Sequence, residues 1–519
     1  MTIDSSYLFS ALLSYNYLPM VKEHRDETPS LFSTESLTPE IADELVVAFN
    51  NLPRKSARKR NGFDQVEYRT TRFNNVIRKM NIPVPMAYCS LCQQLRDSWD
   101  QPELNRICSN PSSKIKPERH GDGRLFLSEN YEVRDTGRVV VMGKDEAVVE
   151  SESLLASSLG MQYFVEADVS ACFPSIYTHA IPWALIGHSE AKLKIDEHAS
   201  WFNQIDKRQR VLKRNETLGV PVGPATSNIV CEIVLYPVDK NLRSKGFVFN
   251  RYIDDYRAYC RTMEKAEEFV RELESELAKY LLTLNAKKLR IETLPMPMVS
   301  QWVLELRSRL PVKKSLSERE VLDYMDYAVS INRLEPDGSV LKYAARSLVK
   351  MVTEKSSSTL AKYLVNLSIY SPVLLPILCE VIKKHELKLK VADLSKLLAR
   401  HLEFRRSDAV GWTLYLYYLS GAKVSKEDAR KIISSNDCMP MAGLLAIGQH
   451  FDLVDSFVSS VNNSFYQELD QYWILIYELY ILNELSKSKQ LDKYIEESGF
   501  EIMRKNGVSF LSTTEWEES

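Results

Sequence analysis

The stretch Phe249-Asn250-Arg251-Tyr252-Ile253-Asp254-Asp255-Tyr256-Arg257-Ala258-Tyr259 limits what this chain can become more than any other. Its two ends are short runs rich in aromatic and β-branched residues, and the adjacent acids fall where the turn of a hairpin belongs. Two carboxylates side by side in a hydrophobic setting repel each other, and that repulsion is tolerable where a cation neutralises them. Hard oxygen ligands favour Mg²⁺ or Mn²⁺. An acid pair alone is more often a solvated turn, so the decision rests on the rest of the chain.

Two upstream segments decide it. Tyr163-Phe164-Val165-Glu166-Ala167-Asp168 reads as a strand ending in an acid, followed by a turn and a helix start near Phe173. Gly219-Val220-Pro221-Val222-Gly223-Pro224-Ala225-Thr226-Ser227 is a Gly/Pro-rich loop running into an apolar helix, Ile229 to Tyr236. A strand-end Asp with an aromatic five residues on, a GxPxGxxxS loop and a YxDD hairpin, in that order, resemble motifs A, B and C of reverse transcriptases. Further on, Leu284-Asn285-Ala286-Lys287-Lys288 resembles motif D, with Lys288 the nearer match and Lys287 still open. The expected fold class is α+β: the fingers and palm of a right-hand polymerase, then an all-α helical domain of the HEAT kind.

The resemblance implies roles. Asp168 and Asp254 would bridge two Mg²⁺ (or Mn²⁺) ions, Asp255 would support them, and the Val169 carbonyl would assist. Lys288 would donate a proton near the triphosphate. Phe173 occupies the steric-gate position and implies deoxynucleoside triphosphates as substrates. The loop carrying Val222 and Gly223 would lie under the nascent base pair. Arg119 and Arg124, in a basic, Gly-rich segment from Lys114 to Arg138, are the candidates for holding the triphosphate, a surface loop being the alternative.

The chain departs from ordinary reverse transcriptases in two ways. Val222 stands where the family usually has Gln, and a long helical stretch replaces a compact thumb. The combination is similar to the bacterial abortive-infection reverse transcriptases of the AbiK type, including their prophage-encoded branch. That likeness implies phage defence, template-independent DNA synthesis primed from a protein tyrosine, single-stranded DNA product attached to the chain, and homo-oligomers in the bacterial cytoplasm. Tyr7, Tyr15, Tyr17, Tyr68 and Tyr88 are the candidate primers, with nothing to choose among them. Two other readings stay open: a conventional RNA-templated, retron-like enzyme, and a nucleic-acid-binding scaffold with an inactive palm. His385, His401 and His450 lack an Arg at the spacing of the ribonuclease domain some relatives carry.

A chain of 519 residues exceeds one ordinary core, and we expect an N-terminal and fingers region over 1–150, a palm over 151–305 and helices over 306–519. Net charge is only −2, so no global basic field announces nucleic acid. Residues 51–80 nonetheless carry Arg54, Lys55, Arg58, Lys59, Arg60, Arg69, Arg72, Arg78 and Lys79 against Asp64 and Glu67 alone. This is either a phosphate track or a solvated helix face. The scattered cysteines, Cys89 and Cys92 included, read as reduced core thiols. No apolar run is long enough to span a membrane, so a soluble protein with no membrane partner is expected.

Overall fold

In the computed structural model of the chain, residues 5–14, 16–18, 28–72, 76–108, 110–113, 116–119, 125–128, 155–297, 299–336, 339–461 and 466–512 are described. Three antiparallel sheets occur among them. β1 (Gln65–Thr71) and β2 (Ile77–Pro83) form a hairpin paired from Gln65 with Pro83 to Thr71 with Ile77. β3 (Lys116–Arg119) pairs with β4 (Leu125–Ser128). β5 (Tyr163–Asp168), β6 (Phe249–Tyr252), β7 (Asp255–Cys260) and β8 (Arg290–Thr293) form the third sheet, in the order β6-β7-β5-β8.

Sequence alternation sets the faces of this sheet. In β6, Phe249 and Arg251 point inward while Asn250 and Tyr252 stay half-exposed, the period-two pattern of a strand with one covered face. Two helices cover it. Ala225–Ser244 buries Ile229, Val230, Ile233 and Val234, and Met263–Ala278 buries Phe269, Leu273 and Leu277. The first helix is longer than its apolar core suggests. It begins directly after Pro224 and continues through Pro237, because Val238, Asp239 and Leu242 beyond the proline are also buried. The segment between β5 and this helix is helical, in Ala180–Ile186, His188–Leu193 and Trp201–Val211.

From Gln301–Arg309 onward every regular element described is helical, and most helices pack on the next one or two in sequence. Hydroxyl side chains start several of them. Ser317 closes a capping box with Glu320, Thr353 does so with Ser356, and Ser425 and Ser488 cap the helices that follow them. The helix Trp473–Ile481 follows Asp470–Tyr472, a 3₁₀ turn that directs Asp470 into the core.

Asp470 belongs to the seam between this helical region and the β1–β2 hairpin. Arg58 is fully buried and donates to Asp470 at 2.7 Å and to the Ser498 hydroxyl at 2.8 Å, with its guanidinium over the Phe63 ring. Asp408 accepts from the Thr71 amide at 2.7 Å and hydroxyl at 3.0 Å. The Trp473 indole donates to the Ile82 carbonyl, and Phe32 bridges to Leu511. One connected apolar core runs from Leu8 to Leu511 across both expected domain boundaries. These contacts also revise the basic run over 51–80. Arg58 is structural, and Arg69 and Lys79 are both paired with Glu67.

Candidate metal centre

The third sheet places three acids at one point. β5 and β7 pair so that Asp168 faces Asp255, and the Val169 amide donates to the Asp254 carbonyl at 3.1 Å. A tight turn at Ile253 and Asp254 joins β6 to β7, so Asp254 and Asp255 project beside the end of β5. Oxygens of all three carboxylates lie within 4.8 Å of one another. Asp168 is buried, and the other two acids are half-exposed.

A buried cation sits behind the turn. Arg251 donates to both oxygens of Glu232 at 2.7 and 2.8 Å and to Asp239 at 2.7 Å. It also donates to the Ile253 carbonyl at 2.7 Å. The Tyr256 hydroxyl and the Asn110 amide also donate to Asp239, at 3.0 and 2.7 Å. Ile253 has φ 56°, a left-handed conformation that β-branched residues avoid. Fixed on both sides by Arg251 and by its own burial, the residue holds a strained turn that aims the two acids.

The electrostatics follow from that crowding. Burial first, then the neighbouring Asp254 charge and a hydrogen bond to Asp168, push the Asp255 carboxyl up to about 7. Burial and the charge of Asp168 raise Asp254 as well, with Lys288 and Arg78 pulling the other way. Lys288 donates to one oxygen of Asp168 at 2.9 Å, and the Asn285 side chain donates to the other at 3.0 Å. Burial would depress the Lys288 ammonium, but its bond to Asp168 outweighs that and raises it. Three hard, mutually repelling carboxylates converging on one volume fit divalent cations, which remove the repulsion.

The other expected site residues are placed unevenly. Phe173 is half-buried, and its carbonyl accepts from the Val220 amide at 2.9 Å, which ties its backbone to the Gly-rich loop. Gly219 has φ 84° and a Cβ there would meet the Pro174 carbonyl at 2.9 Å, while Gly223 has φ 128°, so both positions require glycine. Val222 is bound to Asn81 of β2, giving its carbonyl to the Asn81 amide at 2.8 Å. Arg119 ends β3, its side chain lying outside the described residues, and Arg124 and Tyr15 lie outside them altogether. Lys287 is exposed, whereas Lys288 reaches Asp168.

Four tyrosines do not offer themselves as primers. Tyr17, Tyr68 and Tyr88 are buried, Tyr17 donating to the Pro83 carbonyl and Tyr88 to that of Leu12. Tyr7 is half-buried with its hydroxyl shielded from solvent. The N-terminal clustering that nominated them reflects core packing, since Tyr17 stacks on Tyr88 at 4.3 Å. Two residues near the site carried no individual assignment in the sequence. Arg78 acts on Asp254 from β2, and Asn285 holds Asp168. The basic run and the motif-like Leu284–Lys288 segment contained them, but neither pattern singles out one side chain.

Residues 128–325 match the family model described as reverse transcriptase (RNA-dependent DNA polymerase). This stretch is a reverse-transcriptase domain. It contains Asp168, the Gly219–Ser227 loop, Asp254, Asp255 and Lys288, and it makes the chain a nucleotidyltransferase of the RNA-directed DNA polymerase class. The reverse-transcriptase core is thus followed by helices, in the α+β arrangement expected. No curated protein matches the chain. Among solved structures, apo telomerase from Candida tropicalis aligns at 11% identity over 87% of this chain and 75% of its own, with TM-score 0.29. Telomerase from Candida albicans, in complex with a TWJ fragment of telomeric RNA, aligns at 12% identity over 95% of this chain and 70% of its own, with TM-score 0.28. At such scores neither likeness adds to what the site shows. No described helix is long and apolar enough to cross a membrane.

Proposed function

We propose that the chain is a reverse-transcriptase-type DNA polymerase of phage defence, building DNA without a template from a tyrosine on the protein. The observation that carries the polymerase reading is the convergence of Asp168, Asp254 and Asp255 within 4.8 Å. In this reading those acids and the Val169 carbonyl hold two Mg²⁺ or Mn²⁺ ions, which when bound would activate the attacking hydroxyl and neutralise the triphosphate. Lys288, bonded to Asp168 in the absence of cations, would serve as the proton donor to the leaving phosphates. Arg78, whose charge acts on Asp254, draws the triphosphate in, sharing the part first assigned to Arg119 and Arg124. Phe173 crowds a ribose 2′-hydroxyl and so favours deoxynucleotides.

Template independence is supported by Val222, which brings an apolar side chain to the nascent pair where Gln would offer a polar one. Defence, protein priming, homo-oligomers and HEAT-like helices rest on the resemblance to abortive-infection enzymes. Of the five candidate primers, Tyr7, Tyr17, Tyr68 and Tyr88 pack in or against the core, and Tyr15 lies outside the described residues. The test is to incubate the protein with Mg²⁺ and one labelled deoxynucleotide, with and without an RNA template and primer. Label that runs with the protein on a denaturing gel, is freed by protease and vanishes in Asp254→Asn supports the full reading. Label incorporated only onto the added primer leaves a conventional RNA-templated enzyme, and no label under any condition leaves the scaffold reading.

A further inference from the structure

The basic run over 51–80 splits in two. The charge of Arg78 acts on Asp254, whereas Arg54, Lys55, Lys59 and Arg60 lie around the short helix Ala57–Asn61 and meet a second basic run some 150 residues later. That run, Lys207-Arg208-Gln209-Arg210, ends the helix Trp201–Val211. Asn50 joins the two. Lys59 donates to its backbone carbonyl at 2.6 Å, and Arg208 reaches its side-chain oxygen at 3.5 Å while lying over the Phe49 ring. The backbones are locked together as well: the Phe63 amide donates to the Val211 carbonyl at 2.8 Å, and the Arg214 amide to the Phe63 carbonyl at 2.7 Å.

Nearby cations of the same element are neutralised, Arg210 by Asp206 and Arg214 by Asp64. Arg54, Lys55, Lys59, Arg60, Lys207 and Arg208 form no ion pair among the described residues, and Asp97 is the acid that acts on Arg208. Burial, then the charges of Arg208, Arg210 and Lys59, depress the Lys207 ammonium. An adjoining cavity of about 300 Å³, lined by Arg60, Asn61, Arg214, Gln467 and Glu468, carries the surface to the helical region. A fold gains nothing from gathering unpaired like charges, and a polyanion relieves their repulsion.

We propose that these two basic runs form a binding surface for the phosphate backbone of a single nucleic-acid strand, separate from the catalytic cleft. The surface handles strand that has left, or not yet reached, the metal centre. This rests on the polymerase reading for its biological sense but not for its test. Binding of fluorescent dT₂₀ and rU₂₀ is measured by anisotropy from low to moderate salt, for the wild type, for Lys55→Ala/Lys59→Ala/Lys207→Ala, and for the corresponding triple Arg variant. Each single-strand phosphate contact contributes about −0.7 to the slope of log K against log salt, so the triple Ala variant should flatten the slope by about 2. The triple Arg variant should restore it, and thermal melting confirms that all three proteins are folded.

Preference for dT₂₀ assigns the surface to DNA product, and preference for rU₂₀ assigns it to template. Unchanged slope and affinity in the Ala variant overturn the proposal, as does polyglutamate competing as well as either strand, which would make the partner an acidic protein. Asp254→Asn separates the two readings. Strand binding that persists in Asp254→Asn shows the surface to be independent of the metal centre, and a wild type that binds strand yet incorporates no nucleotide under any condition sinks the polymerase reading and leaves this one standing.

Discussion

Three carboxylates in one volume need a counter-charge, and two are at hand: the proton that Asp255 retains up to about 7, and the Lys288 ammonium on Asp168. Removing one acid therefore separates chemistry from folding. Asp254→Asn should lower nucleotide incorporation at least about 1000-fold, the scale on which preorganised charge stabilisation acts. Its melting temperature without metal should hold or rise, and the upward shift that Mg²⁺ gives the wild type should shrink. A metal-free melting temperature that falls steeply would make Asp254 a structural residue. Phe173→Ala should raise the use of ribonucleotides relative to deoxynucleotides by about 10- to 100-fold, read as the ratio of kcat/KM values, the range that one apolar pocket contact commands.

Glu478 makes a quieter test of burial. It accepts from the Phe510 amide and the Ser509 hydroxyl in the core, and burial pushes it up to about 8. Its folded value lies above its unfolded one, so the stability it contributes is complete below about 4.5 and is lost as pH rises through about 8. Glu478→Gln mimics the protonated acid at every pH. Between pH 5 and 8 the mutant should gain on the wild type by up to about 1.4 kcal/mol per unit and then run parallel. Urea melts across that range check this, and curves parallel throughout would refute it.

At the scale of elements, the β6–β7 turn stands or falls with Arg251. Replacing it by Met leaves Glu232 and Asp239 buried without their cation, and unfolding free energy should drop by about 3–5 kcal/mol. Arg251→Met/Glu232→Gln/Asp239→Asn should recover part of that loss, because the uncompensated charges go with the cation. Equal losses in the two proteins, by urea titration, would place Arg251's value in packing instead. This arginine stood in plain view within Phe249–Tyr259, and alternation already put it on the covered face beside Phe249. Its partners did not stand out, since Glu232 and Asp239 look like ordinary polar positions of an apolar helix. β5, the hairpin and the Gly-rich loop were legible because each has a local signature. β8 was not: Arg290, Glu292 and Thr293 are exposed, so this edge strand lacks the apolar alternation that marks the others.

Over the whole molecule, the helical region closes the core of the β1–β2 hairpin. Reading by motif suggests pieces that can be parted near residue 305, but Arg58, Thr71 and Ile82 satisfy themselves on Asp470, Asp408 and Trp473. No local pattern announces pairs so far apart in sequence. A fragment ending at residue 305 should therefore show no cooperative melt and should aggregate, checked by circular dichroism and size-exclusion chromatography. A soluble, cooperatively folded fragment would show that the hairpin side is self-sufficient.

The Arg58–Asp470 pair has a consequence for how the protein is made. Its members are 412 residues apart, so at ordinary translation speeds roughly 20–80 s pass between the synthesis of one and of the other. Throughout that interval the nascent chain carries a bare Arg58 guanidinium, and the hairpin lacks the Trp473 that later bonds to Ile82. The polymerase site can be drafted early, since β5 to β8 span residues 163–293, but it is mounted on a support that arrives last. A ribosome stalled before Asp470 thus holds all three clustered carboxylates and no finished fold.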